Sequence, residues 1–434
     1  MRLLPFAYAV RNLGRSPSRL FLSVAGAAMV VLLILVAGGF VRGMSTALRA
    51  TGGEHNVILM GAGSEESVER SEIEAGVPGV LAASVAGVRT RAGVAYVSPE
   101  VHVMLPVGVG SAAPGKSGAG GGDSMSKGSG AGSASSGAMS SAMGGGSSTS
   151  NANLRQVMLR GVTPAAALVH ESVSLTEGRW PASGVDEILV GRMTATVLDV
   201  AESDVAVGKS LMIDGRAWTI VGRFSAPGTV VEAEVWLPLA DLMTATKRET
   251  ISCVVLTLDP YNEETGEGAD FSDVAAFTKT RPDLELVPMT EREYYGKLAN
   301  FFGPIKIVAW VTAGLIAVGG LFGGLNTMYA AFASRIRELG TLQSIGYRRM
   351  AIVWSMIQES TLATAAGGLI ACAIGVFVLD GLAVRFSMGA FGLMIDETVI
   401  GLGLLTGLAL GVVGALPPAI RCLKPTIPVA LKAV

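Results

Sequence analysis

Four long apolar stretches punctuate the chain, and polar or mixed sequence separates them. They cover residues 20–42, 303–333, 352–384 and 399–416. A bilayer core about 30 Å thick requires roughly 20 apolar residues in a helix, so the sequence predicts four transmembrane helices. The third stretch exceeds one crossing, which indicates tilt or projection beyond the bilayer. The fourth is expected to end before Pro417-Pro418, because proline cannot continue a helix.

The leader before the first stretch, residues 1–19, carries four arginines and no acidic residue. A cleaved signal peptide also begins with basic residues, but its apolar run is usually about 7–15 residues long. The run here is longer, so we expect the first helix to remain as an anchor. Residues 1–19 are then expected to form an amphipathic cytoplasmic helix.

The region 43–302 has a different pattern, in which short β-type runs alternate with turns and two helical segments. Asp214-Gly215 within 210–221 predicts a β-hairpin. The helical segment 291–300 leads almost directly into the second apolar stretch, as a stalk would. The predicted fold is therefore a membrane protein with four transmembrane α-helices and a mixed α/β extracytoplasmic domain between helices 1 and 2.

A low-complexity insertion interrupts this domain at residues 110–153. Of the 41 residues in 110–150, 33 are glycine, serine or alanine. Such a composition buries too little apolar surface to offset the entropy lost on ordering, so a disordered spacer is predicted. Its methionines lie near His102 and Met104 in sequence, and thioethers suit Cu(I), but their irregular spacing favours the spacer interpretation. These methionines are Met125, Met139 and Met143.

Composition agrees with membrane insertion, and charge orients the helices. Half of the 434 residues are hydrophobic, 16% are charged, and mean hydropathy is +0.51. Residues 41–302 hold 20 basic and 30 acidic residues, whereas the leader, the 334–351 loop and the 417–434 tail together hold 11 basic and one acidic. By the positive-inside rule both termini and the 334–351 loop are cytoplasmic. The 43–302 domain and the short 385–398 loop then lie outside.

Motifs for catalysis are absent from the sequence. It contains no G-x-x-x-x-G-K-[ST] phosphate loop and no H-E-x-x-H pair. The three cysteines are scattered and the three histidines lie far apart in sequence, so no metal-ligand spacing is found. We therefore predict a non-catalytic protein with no cofactor, no metal and no nucleic-acid partner. Glu359 and Asp380 are the ionisable residues of the third stretch, near its inner and outer parts, and pairing of Glu359 with the basic inner loop is favoured over a proton relay.

The inner loop carries the most specific motif. Residues 334–349 read S-R-I-R-E-L-G-T-L-Q-S-I-G-Y-R-R and resemble the FtsX-like permease signature of MacB-type and LolC/LolE-type ABC transporter permeases. The leader 9–20 resembles the amphipathic N-terminal helix of that family, and the tail 416–432 resembles its ending. Further runs resemble the MacB-like periplasmic core domain in order: 159–164, 177–180, 187–191, 207–211 and 220–224.

The resemblance implies that the inner loop docks on an ATPase. The coupling residues would be Arg335, Arg337, Glu338, Gly340, Gly346, Arg348 and Arg349. The sequence contains no nucleotide-binding domain, so a separate ABC ATPase subunit is expected, with a second permease copy or a paralogue beside this chain. A periplasmic adaptor, an outer-membrane channel and membrane lipid are further partners that the family implies.

Two functions follow from the resemblance. In the first, ATP hydrolysis drives periplasmic motion that exports or extracts a lipophilic, peptide or lipoprotein cargo across or from a bacterial inner membrane. In the second, an FtsX-like permease transports nothing and mechanically regulates a cell-wall hydrolase. The size of the outer domain favours the first.

Overall fold

The computed structural model describes residues 6–14, 17–110, 154–260, 268–386 and 389–432. The predicted spacer therefore lies outside the described residues, as do its three methionines. The α-helices of the described chain are α1 Phe6–Gly14, α2 Pro17–Ala50, α3 Val77–Ser84, α4 Ala166–Val169, α5 Thr194–Leu198, α6 Leu239–Thr246, α7 Phe271–Thr280, α8 Glu291–Phe301, α9 Gly303–Ala333, α10 Ile336–Ser344, α11 Arg349–Ile374, α12 Glu397–Cys422 and α13 Ile427–Lys432.

The β-strands of the same residues are mostly short, with one of 13 residues. They are β1 Asn56–Gly61, β2 Ile73–Glu74, β3 Thr90–Arg91, β4 Val94–Ala95, β5 Val97–Val109, β6 Arg155–Val162, β7 Ser174–Gly178, β8 Glu187–Gly191, β9 Ser210–Ile213, β10 Arg216–Ser225, β11 Val235–Pro238, β12 Thr250–Ile251, β13 Cys253–Thr257, β14 Leu286–Thr290, β15 Ala383–Phe386 and β16 Gly389–Gly392.

Within the described residues, four helices are long and apolar enough to cross a membrane, which confirms the predicted fold class. They span Leu20–Ala50, Gly303–Ala333, Arg349–Leu379 and Glu397–Cys422. The first belongs to α2, which continues into the outer domain as far as Ala50, eight residues past the expected end at 42. On the return side α8 leads into α9 through Phe302 alone. Two stalks therefore connect the outer domain directly to the first two membrane helices.

The ends of the third and fourth membrane helices differ from the prediction. The third was expected to be helical to 384, but α11 ends at Ile374, a π-helical turn follows, and 383–386 is strand β15. Gly381, with φ +74°, turns the chain into that strand. The fourth was expected to end at 416, but α12 continues through both prolines to Cys422. Each interior proline costs about 3 kcal/mol. Packing of Ala415, Ala419 and Cys422 against α11 offsets that cost.

The outer domain is built on a mixed sheet of ten strands. The strands β5, β6, β11, β8, β10 and β9 pair in that order, and β9 pairs back to β5, so these six form a closed ring. The strands β13, β1 and β14 extend the sheet, in that order, from the N-terminal part of β5, which pairs with β13. The predicted hairpin is confirmed as β9–β10, and Asp214 and Gly215 take the positive φ values of its turn.

The loop between the third and fourth membrane helices is a hairpin, β15–β16, packed under the outer domain. Its Phe386 lies 5.6 Å from Phe302 and 5.4 Å from Phe391, measured between ring centroids. Phe391 in turn lies 5.3 Å from Phe40 of α2. This aromatic cluster joins both stalks to the hairpin between α11 and α12.

Candidate functional site

Arg335 connects α10, the helix within the predicted coupling loop, to α1 and α11. It donates from Nε to Glu338 Oε2 at 2.9 Å and from Nη1 to Glu359 Oε2 at 3.0 Å. Tyr8 of α1 donates to Glu338 Oε1 at 2.7 Å. We call these four residues the frame, since they join α1, α10 and α11. The pairing expected between Glu359 and the basic inner loop is present here.

The frame is sheltered from solvent, which makes its bonds stronger than those of a surface ion pair. The Arg335, Glu359 and Glu338 side chains are 17%, 21% and 32% exposed. Burial opposes the charge of Arg335, but the bonds to Glu338 and Glu359 outweigh it and raise the pKa of Arg335. Burial and the bond to Glu338 raise the pKa of Tyr8. Hydrogen bonds to charged groups contribute about 1.5–3 kcal/mol each, so the frame rigidly attaches α10.

Two glycines of the predicted site have separate structural roles. A Cβ at Gly340 would lie 3.0 Å from Cβ of Ala430, so this glycine permits close packing of α10 on α13. Gly346 has φ +102° and ends α10. Its N–H donates to the Gln343 carbonyl at 3.1 Å, and the Tyr347 N–H donates to the Leu342 carbonyl at 3.2 Å. This pattern is a Schellman motif, which favours glycine at the position of positive φ.

The remaining predicted residues point outward. Arg348 and Arg349 are exposed at the free end of the α10–α11 turn, whereas Arg337 is exposed in the first turn of α10. Ile345 and Met350 are 64% and 65% exposed beside Arg348 and Arg349. We call Ile345, Arg348, Arg349 and Met350 the tip. Sequence reasoning missed the two apolar members, although a large apolar residue directly before Gly346 in a polar loop was a usable signal. The tip therefore combines positive charge with apolar surface on a rigid support.

A second polar cluster lies in the outer domain, centred on Glu100 of β5, which is fully buried. Its Oε2 accepts from Arg160 Nη1 at 2.8 Å and lies 3.1 Å from His102 Nε2. Its Oε1 lies 2.6 Å from His170 Nε2 and accepts from Ser98 Oγ at 2.9 Å. All four lone-pair positions of the carboxylate are thus occupied.

Arg160 extends this cluster to a second carboxylate. It donates from Nε and Nη2 to the two oxygens of Glu234, at 2.7 and 2.8 Å. Glu234 also accepts from Trp236 Nε1 at 2.8 Å. A buried carboxylate left without its partner costs about 3–5 kcal/mol, so these groups depend strongly on one another. We call Glu100, His102, Arg160, His170 and Glu234 the hub.

The hub contacts the α8 stalk and, through Glu291, the residues that follow α2. Glu291, the first residue of α8, lies with Oε1 3.8 Å from His170 Nδ1. The other oxygen of Glu291 accepts from Asn56 Nδ2 at 2.8 Å, just beyond the end of α2. Tyr295 of α8 accepts from Arg160 Nη2 at 3.4 Å. The hub therefore lies where the two stalk helices join the sheet.

The two histidines of the hub differ in protonation tendency. Burial would raise the pKa of Glu100, but the charges of His170 and Arg160 hold that pKa well below its usual range. Burial would likewise lower the pKa of His170, but Glu100 raises it. For His102, burial and the nearby Arg160 lower the pKa. His170 is thus the charged partner of Glu100, and His102 favours the neutral form.

Sequence reasoning did not predict the hub. It treated His102 and His170 as unrelated, because they are 68 residues apart along the chain. They meet because β5 pairs with β6, and α4 follows β6 and returns over the same face. Buried arginine and glutamate within apolar strands were the available signal, and nothing in the linear order says which residues pair.

Comparison with known proteins identifies the membrane part. Residues 310–427 match the FtsX-like permease C-terminal domain, and this segment includes α10, α11, α12 and the tip. This segment is therefore similar to an FtsX-like permease domain. The four candidate membrane helices and the α/β domain between the first two agree with the fold class predicted from the sequence.

The other similar proteins are distant in sequence. The chain is 23% identical over 227 residues to the uncharacterized ABC transporter permease YknZ of Bacillus subtilis (strain 168), which covers 50% of this chain and 55% of YknZ. It thus spans about half the length of this curated relative. Two solved structures are similar at low TM-score. The periplasmic region of MacB from Actinobacillus actinomycetemcomitans scores 0.35 at 11% identity, covering 58% of this chain and 95% of that one. The extracellular domain of the noncanonic ABC-type transporter YknZ from Gram-positive bacteria scores 0.33 at 13% identity, covering 54% and 99%.

Proposed function

We propose that the chain is the permease subunit of an ABC transporter whose energy comes from an ATPase subunit docked at the tip. The observation that carries this proposal is the division of the FtsX-like motif into the rigid frame and the exposed tip. Two arginines and two apolar side chains form a surface suited to an acidic, partly apolar groove on a partner. The frame holds that surface on α10 and α11, so force applied at the tip moves the membrane helices.

In this proposal the stalks carry the motion outward. Both termini and the tip are cytoplasmic in a bacterial inner membrane, and the ten-stranded domain is outside. The unbroken α2 and the α8–α9 pair transmit displacement because a helix resists bending over a few turns. A second permease copy or a paralogue completes the assembly, and a periplasmic adaptor and an outer-membrane channel extend it where the cargo leaves the cell.

A cavity among the membrane helices favours a lipophilic cargo. It measures about 260 Å³ and lies between α2, α9, α11 and α12. Its wall combines glycines such as Gly323 and Gly324 with aliphatic side chains and the hydroxyls of Ser360 and Thr364. Small-molecule sites usually measure about 300–1,000 Å³, so this cavity suits part of an acyl or peptide chain. The alternative, an FtsX-like regulator of a cell-wall hydrolase, needs no such cavity.

Charge reversal at the tip tests the docking. The double variant Arg348→Glu/Arg349→Glu is expected to lower co-purification of the ATPase from native membranes by roughly tenfold or more, equivalent to about 1.4 kcal/mol. Lys209→Glu, an exposed reversal in the outer domain, is the matched control and should leave recovery unchanged. Unchanged ATPase recovery and ATP turnover in the tip variant would refute docking there. Genes for an adaptor or for a hydrolase beside this one would discriminate the two functions.

A further inference from the structure

Three potential metal ligands share one face of the outer-domain sheet. Glu100 and His102 are separated by one residue on β5, so their side chains project to the same side. Cys253 of β13 lies directly opposite Glu100 in the antiparallel register. Two ligands at positions i and i+2 of one strand, with a third across from them on the next strand, converge on a single point above the sheet. The backbone register alone creates this arrangement.

The ligand atoms are close enough for one ion. One carboxylate oxygen of Glu100, one ring nitrogen of His102 and Sγ of Cys253 all lie within 4.8 Å of one another, and all three residues are buried. In a tetrahedral Zn²⁺ site, bonds of about 2.0–2.3 Å place ligand atoms about 3.3–3.7 Å apart. The His102 nitrogen and the Glu100 oxygen are already 3.1 Å apart. The widest pair therefore needs to close by about 1 Å at most.

The surroundings favour a cation. Glu100, Glu234 and Glu291 place three carboxylates around this point against two cationic groups, the guanidinium of Arg160 and the imidazole of His170. Arg160 and His170 hold the two oxygens of Glu100 from outside, as partners in the outer shell of a metal site orient its ligands. A cation between His102 and Glu100 would replace the proton that these two residues share.

We propose that Glu100, His102 and Cys253 form a closed binding site for a d¹⁰ cation, Zn²⁺ or Cu⁺, at the junction of sheet and stalks. Mixed nitrogen, sulfur and oxygen ligands suit Zn²⁺, and thiolate with imidazole also suits Cu⁺. Because all ligands are buried, the ion enters during folding and acts structurally. Sequence spacing gave no sign of it, since the ligands come from strands 151 residues apart.

The test measures metal in the full-length protein. The chain carries an affinity tag free of histidine, is produced in medium supplemented with Zn²⁺ or Cu⁺, and is gel-filtered in metal-free detergent buffer. Metal per chain is then measured by inductively coupled plasma mass spectrometry. The variants are Cys253→Ser and His102→Gln, and Cys372→Ser is the matched control, a buried free cysteine in α11. X-ray absorption of the wild-type protein reports the ligand atoms without any substitution.

We expect about one ion per chain in wild type and control, and roughly tenfold or greater loss in both ligand variants. The absorption spectrum should contain one sulfur at about 2.3 Å and nitrogen or oxygen ligands at about 2.0–2.2 Å. Wild-type protein purified without metal would overturn the proposal. So would equal metal in the folded Cys253→Ser variant, or a metal spectrum lacking sulfur. If a variant fails to fold, the wild-type spectrum still decides.

Discussion

Replacing Arg335 by methionine removes both ion pairs of the frame while preserving much of the side-chain volume. Glu359 then remains on α11 without its partner, whereas Glu338 keeps its bond from Tyr8. A lost hydrogen bond to a charged group costs about 1.5–3 kcal/mol, and a stranded buried carboxylate about 3–5 kcal/mol. The frame is 17–32% exposed, so solvent screening lowers that upper limit. We expect a loss of about 2–3 kcal/mol in the stability of α10 packing.

The assay is a double-mutant cycle of Arg335→Met and Glu359→Gln in detergent-solubilised protein. Hydrogen exchange of the α10 amides reports local opening, and thermal unfolding reports global stability. The double variant should be more stable than the sum of the singles by about 1–2 kcal/mol, because it strands no charge. Arg337→Met is the control, since this exposed neighbour should change stability by less than about 0.5 kcal/mol. Additive effects in the cycle would refute the frame.

Three further predictions concern the turn, the spacer and the orientation. Gly346→Val should destabilise the end of α10 by about 1–3 kcal/mol, and Gly346→Asn should destabilise it less. Faster hydrogen exchange of the α10 amides would report the loss. Equal exchange rates in the two variants would contradict a backbone origin of the effect. Replacing residues 111–153 by a short glycine-rich turn should leave the outer domain folded, because the strands on either side of this segment, β5 and β6, pair antiparallel. Circular dichroism and gel filtration would measure this, and aggregation would show that the segment is needed. Reporter fusions after Gly191 should read outside and those at Ser344 inside, and an outside signal at Ser344 would overturn the four-helix topology.

Local sequence properties were sufficient to predict the membrane helices. The family motif named Gly340 and Gly346 as coupling residues, and the structure assigns each glycine a steric or conformational reason. The division into frame and tip was not predictable, because it depends on Tyr8 and Glu359 reaching the same helix from distant positions. The motif shows which residues are charged, whereas tertiary packing determines which of these side chains face inward.

The errors at the helix ends have the same origin. Pro417-Pro418 is a strong local signal to stop a helix, yet α12 continues because its buried small residues pack on α11. In the same way, 375–384 is apolar enough to extend α11, but the hairpin β15–β16 gains aromatic contacts with Phe302 and Phe40. In both places the energy of tertiary packing exceeds the local preference.

The sequence by itself determined two kinds of feature: those that depend on the solvent around a segment, and those that depend on the conformation of single residues. An apolar run of 20 or more residues is stable in a bilayer whatever its neighbours are, and Asp214-Gly215 adopts its turn from its own φ preferences. Only the tertiary structure decided the hub and the proposed metal ligands. Glu100, His102 and Cys253 meet because β5 and β13 pair in one register, and a slip of one residue would turn the β13 cysteine to the opposite face.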